Sequence, residues 1–128
     1  MTIDNFIKIA IFFAATAVAL GAMGAHYLKE ILTTSQLHSF ETGVRYQFFH
    51  ALAIISLALN AEQFNKSIKR SLQLITIGVC CFSFSIYLLV LQDSIGISLS
   101  YLGIVTPFGG LILICGWLTL LISFKKKK

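Results

Sequence analysis

Four apolar blocks, each near the length that crosses a bilayer, occupy most of this sequence: Phe6 to His26, Arg45 to Leu59, Leu72 to Leu91 and Tyr101 to Phe124. They set the solvent in which the chain folds. A helix needs ~20 mostly apolar residues to cross a ~30 Å hydrocarbon core. In lipid every backbone N–H and C=O must also be satisfied internally, which leaves only helices and closed barrels. Barrel strands alternate polar and apolar residues, and these blocks are evenly apolar. The sequence therefore predicts an all-α, polytopic membrane protein, a four-helix transmembrane bundle. Charged residues make up only 12% of it, against ~25% in an average soluble protein. Residues 1–128 read as a single domain, with short connections that suit an up-down bundle.

The net charge of +5 is distributed for a membrane, not for nucleic acid. Lys8, Lys66, Lys69, Arg70 and the run Lys125 to Lys128 fall on one side of the expected topology, and only Lys29 and Arg45 on the other. The positive-inside rule then makes both termini and the middle connection cytoplasmic. The terminal lysines read as a stop-transfer flank beside anionic headgroups. Nothing aromatic or base-reading accompanies them, so no nucleic-acid partner is expected.

The first block imitates a signal peptide, with Ala22-Met23-Gly24-Ala25 resembling a cleavage site. It exceeds the usual ~7–15-residue apolar region, and Asp4 weakens the basic flank, so retention as the first span is favoured. Cys80, Cys81 and Cys115 lie within the proposed spans, are odd in number and form no CxxC pair. They read as small packing residues.

Thr33-Thr34-Ser35-Gln36 has the form of a capping box, which starts a helix near Thr34. Continued to Asn60, that helix would be ~40 Å long and exceed the hydrocarbon core. The excess carries Gln36, His38 and Glu41, belongs at the outer interface, and has Gly43 as a place to bend. Thr106-Pro107 falls in the first turn of the fourth helix, where a missing N–H costs nothing.

Placed on this topology, the polar intramembrane residues gather at the outer level. His26 ends the first span, while Arg45, Tyr46, Gln47 and His50 open the second. Ser83, Ser85 and Tyr87 occupy the outer half of the third, and Thr106, Pro107, Gly109 and Gly110 begin the fourth. Ionisable groups at membrane depth are costly and usually face the bundle interior or water. Thr42, Tyr46 and His50 share a helix face, and Glu41 and Arg45, four apart, can pair, which reduces the cost of burying either. Ala17, Gly21 and Ala25 form a small-residue stripe that lets a neighbouring helix approach. His26 should then face His50 in a cavity completed by Tyr46, Tyr87 and the Thr106-Pro107 turn. One at a time, each residue has an ordinary packing reading. A histidine near a span end is more often a hydrogen-bonded packing residue than a ligand.

Four segments in order also carry a family resemblance: Gly21 to His26, Thr42 to His50, Phe82 to Tyr87 and Gly103 to Gly110. The sequence resembles, over nearly its whole length, the small membrane proteins called domain of unknown function 423, whose eukaryotic relatives are termed transmembrane protein 256-like. Phe84 departs from the pattern, where glycine is usual, and bears on the space beside Tyr87. The resemblance implies a bacterial inner-membrane protein of four helices and assigns no activity.

Three classes of function follow. A non-enzymatic binding or accessory bundle, with a lipid, quinone or membrane-protein partner near the outer leaflet, ranks first. A small-solute or proton-coupled transporter using His26, Glu41 and His50, acting as a homo-oligomer, ranks second. A histidine-ligated redox protein or enzyme ranks third, since two histidines can hold a haem axially. The sequence nominates no catalytic set and no metal set, and it names no cofactor.

Overall fold

The computed structural model describes residues 1–125, so residues 126–128 of the expected lysine flank lie outside the described residues. Among the described residues the secondary structure is helical, apart from an isolated bridge between Phe64 and Phe124. Three helices are long and apolar enough to cross a membrane: α1, Ile3–Ile31; α3, Ile68–Ile95; and α4, Ser100–Leu121. Another long helix, α2, spans Thr34–Leu59.

Local chemistry sets the helix ends. Thr33 Oγ1 accepts the Gln36 amide at 3.3 Å while Gln36 Oε1 accepts the Thr33 amide at 3.0 Å. This is the reciprocal capping box that the sequence predicts. At the other extreme, α3 ends on Gly96 at φ 69°, a left-handed conformation that glycine adopts without a Cβ clash. Pro107 sits in the first α-helical turn of α4, which runs unbroken over Val105–Leu121 after a tighter turn at Ser100–Gly103. The expected bend at Gly43 is not a break, because α2 continues through it.

Successive helices run antiparallel. Gln47 of α2 reaches Phe13 of α1, and Phe40, nearer the start of α2, packs on Gly24, nearer the end of α1. Ser71 and Ser85 of α3 bond Gly116 and Thr106 of α4. Glycines set how closely α3 and α4 meet. A Cβ at Gly109 would stand 2.5 Å from the Phe82 backbone nitrogen, and one at Gly116 would stand 3.0 Å from that of Ile75. Such approach lets dispersion hold helices together where lipid removes the hydrophobic drive.

The core has two parts. Phe6, Phe13, Ile54, Leu72, Ile75 and Val79 fill the part toward the Ile3 end of α1, and Leu28, Phe40, Tyr87 and Val90 the part toward the Thr34 end of α2. Phe84 packs against both and meets the rings of Phe13 and Tyr87 at centroid distances of 6.2 and 6.0 Å. Phe84 therefore fills the space beside Tyr87.

The connection between α2 and α3 is clamped to the end of α4. The Asn65 amide donates to Ser123 O at 2.8 Å, the Lys125 ammonium donates to Glu62 O at 2.7 Å, and Phe64 packs on Phe124.

Candidate functional site

A line of buried polar groups crosses the bundle. Gln47 is fully buried and satisfied on three sides. Its Nε2 donates to Phe13 O and to Thr16 Oγ1, both at 2.8 Å, and its Oε1 accepts from the Tyr87 hydroxyl at 2.9 Å. Ser83 donates to Gly43 O at 2.8 Å, and Gly43 lacks a Cβ that would otherwise lie 2.8 Å from the Tyr87 ring. Among the described residues, no buried side-chain nitrogen or oxygen lacks a partner. These bonds tie α1, α2 and α3 together, where an unmet polar group would be costly.

Beside this line lies an open groove of about 560 Å³ between α2, α3 and α4, lined by Tyr46, Phe49, His50, Phe82, Gly110, Leu113, Ile114 and Trp117. A wide π-type turn at Cys80–Phe84 contributes Phe82, and such turns recur at functional sites. The Phe82 ring lies 4.5 Å from Tyr46, and Tyr46 stacks on His50 at 5.7 Å. The Trp117 indole N–H donates to His50 Nε2 at 3.1 Å, so that nitrogen must carry the lone pair. The other ring nitrogen then donates its proton to Tyr46 O at 2.7 Å. Both nitrogens of His50 are thereby occupied, which fixes the ring as one wall of the groove. From Gly110 to Trp117 the groove runs about 10 Å along α4, deeper than the level at which the sequence gathers its polar residues.

The expected cluster divides into separate places. Tyr46, His50 and Gly110 line the groove. Gln47 and Tyr87 are buried in the polar line, Thr106 bonds Ser85 at 2.7 Å, and Gly109 packs on the α3 backbone. Pro107 is exposed. Glu41 and Arg45 border a different depression, and among the described residues they do not pair. The Arg45 guanidinium donates to Thr42 Oγ1 at 3.4 Å instead.

The expected apposition of His26 and His50 is not formed. His26 is exposed and lines a shallow surface with Ala25, Tyr27, Lys29 and Glu30. The reason is periodicity. The buried line of α1 runs through Ala17, Gly24 and Leu28, not through Ala25. With 3.6 residues per turn, His26 lies about half a turn round from Gly24. A strict four-residue stripe drifts off the packed face, and a second π-type turn at Gly24–Leu28 alters the register further.

Trp117, which the sequence reads as an ordinary amphipathic membrane residue, and Phe82, which it gives no role, are groove residues. The available signal is the position of the single tryptophan, inside a block and short of its end, where a belt residue is not expected.

Fold and site define a class before they define a family: a helical membrane protein with a satisfied polar core and an aromatic groove. The chain belongs to the family described as protein of unknown function, DUF423, which matches residues 20–110. It is similar to a UPF0382 membrane protein of Haemophilus influenzae, 39% identical with 86% of each chain covered. It is also similar to UPF0382 membrane protein YwdK of Bacillus subtilis, 32% identical over 94% of this chain and 96% of that one. UPF0382 inner membrane protein YgdD of Escherichia coli is 38% identical over 83% of this chain and 78% of that one. No solved structure matches the chain. With three helices long and apolar enough to cross a membrane and relatives named as membrane and inner membrane proteins, this is a multi-pass protein of the bacterial inner membrane.

Proposed function

We propose that this chain is a non-enzymatic accessory bundle whose four helices all span the inner membrane, with both termini cytoplasmic. We assign the groove at His50 and Trp117 to a lipid-soluble ring compound. The observation that carries this reading is the pairing of an apolar, aromatic wall with a histidine whose two nitrogens are already bonded. An axial haem ligand needs a free nitrogen, and a proton relay needs partners that exchange protons, which a backbone carbonyl and an indole N–H do not. A binding wall needs neither. A volume near 560 Å³ falls within the ~300–1,000 Å³ usual for small-molecule sites, which are mostly apolar with few polar groups. In this reading Tyr46, His50 and Gly110 contact the ligand. Gln47, Tyr87, Thr106 and Gly109 hold the helices that carry them.

The single tryptophan supplies the test, because Trp117 lines the groove. A short-chain benzoquinone titrated into the purified protein in detergent should quench its fluorescence saturably. Gly110→Leu, which fills the groove, should leave only linear collisional quenching. Linear quenching in the unaltered protein would remove the ring-compound reading.

A further inference from the structure

On the other side of Phe49, whose ring also borders the groove just described, the seam between α1 and α2 carries two adjoining depressions that share Arg45. One, about 210 Å³, is formed by Gly21, Gly24, Phe40 and Val44, with Glu41 and Arg45 at its edge. The other, about 200 Å³, is formed by Ala17, Val18, Phe48 and Phe49 together with Val44 and Arg45. The first lies toward the Thr34 end of α2 and holds the charges. The second lies toward the middle of α1 and is apolar apart from Arg45. We propose that this seam binds one phospholipid of a zwitterionic, primary-amine class, with Arg45 on the phosphate, Glu41 on the ammonium and an acyl chain over Phe48 and Phe49.

Three features support that assignment. A guanidinium at membrane depth is costly unless it meets an anion or reaches the interface. Among the described residues, the one side-chain partner of Arg45 is a hydroxyl at 3.4 Å, a long bond that engages one of the five guanidinium donors. The bilayer supplies phosphate, which guanidinium binds through parallel N–H donors. Glu41 stands one turn away, on the same edge and not paired with Arg45. Residues four apart on a helix are separated by about 5–6 Å at Cβ, which suits two opposite charges carried on one small headgroup. Polarity also runs the right way. Helical side chains lean toward the helix N-terminus, so Arg45 leans toward Thr42 and the interface while the apolar depression continues toward the bilayer centre. From Gly24 to Ala17 the two depressions cover about 10 Å along α1, enough for a headgroup and the upper part of one chain.

This site rests on the proposed reading that α2 spans the membrane, and its test is independent of the groove. The full chain would be held in micelles with equal amounts of phosphatidylethanolamine and phosphatidylglycerol, and bound lipid counted by native mass spectrometry. One phosphatidylethanolamine should be retained in preference. Arg45→Gln should lower retention of both lipids about tenfold, the loss expected for a charged hydrogen-bond pair. Glu41→Gln should abolish only the preference. Gly110→Leu should change neither, so a failure of the ring-compound reading would leave this result standing. Undiminished retention in Arg45→Gln would overturn the proposal, as would an unchanged preference in Glu41→Gln. Displacement of the lipid by inorganic phosphate would overturn it too, by marking a free-anion site. Both residues are exposed, and equal thermal midpoints for the variants would confirm that folding is intact.

Discussion

A methyl group added at Gly109 would stand 2.5 Å from the Phe82 backbone nitrogen, whereas one added at Gly110 meets nothing nearer than the Phe82 ring at 3.8 Å. The first contact is with backbone and cannot be relieved by a rotamer change. Gly109→Ala should therefore destabilise the protein by about 1–3 kcal/mol, the usual cost of overpacking. Gly110→Ala should leave the thermal midpoint unchanged or raised, since glycine is the poorer helix former. A larger loss at Gly110 than at Gly109 would contradict the α3–α4 packing. Gln47 makes a second residue-scale case. Gln47→Leu removes the acceptor of the buried Tyr87 hydroxyl, which should cost about 1–3 kcal/mol. Adding Tyr87→Phe should return part of that loss, because the hydroxyl left without its acceptor is then removed as well. Additive losses in the double variant would show that the two side chains are not coupled.

At the scale of the helix, what was legible in the sequence depends on how local the signal is. The capping box at Thr33 and Gln36 lies within four residues and was readable at once, as was the placement of Pro107 in a first turn. Thr33→Ala should lower stability by about 1 kcal/mol, read as the shift in a detergent melt. Position around a helix was harder to read. The four-residue spacing puts Thr42, Tyr46 and His50 on one face, and two of them do line the groove. On α1, a four-residue stripe predicted Ala25 and hence His26 on the packed face, while the packed residue is Gly24. Small errors in angle accumulate along a helix, and π-type turns such as those at Gly24–Leu28 and Cys80–Phe84 add to them. The partners of His50 were less legible still. Trp117 is separated from it by 67 positions, and nothing local in either segment announces the bond. Type of residue showed which groups were unusual for lipid, but not that most of them are bonded to one another.

For the whole molecule the open variable is orientation, and charge supplies the expectation. The Gln36 amide of α2 donates to Asp93 of α3 at 3.2 Å, so the start of α2 and the end of α3 share one end of the bundle. At the opposite end, the connection after α2 is bonded to the end of α4 through Asn65 and Ser123. Lys66, Lys69, Arg70 and Lys125 gather at that second end, whereas the connection from Gln92 to Ser100 has no lysine or arginine. Since lysine and arginine in short loops beside spans are retained in the cytoplasm, the second end should face inward and the first outward. Single cysteines at Ser94 and Ser67, in a background with Cys80→Ala, Cys81→Ala and Cys115→Ala, provide the test. A membrane-impermeant maleimide added to intact cells should label the first and reach the second only after permeabilisation. Labelling in the reverse order would invert the bundle and move the Arg45 lipid site to the cytoplasmic leaflet. Its geometry and its Glu41 dependence would be unaltered, because those rest on helix packing and not on which face of the membrane they meet.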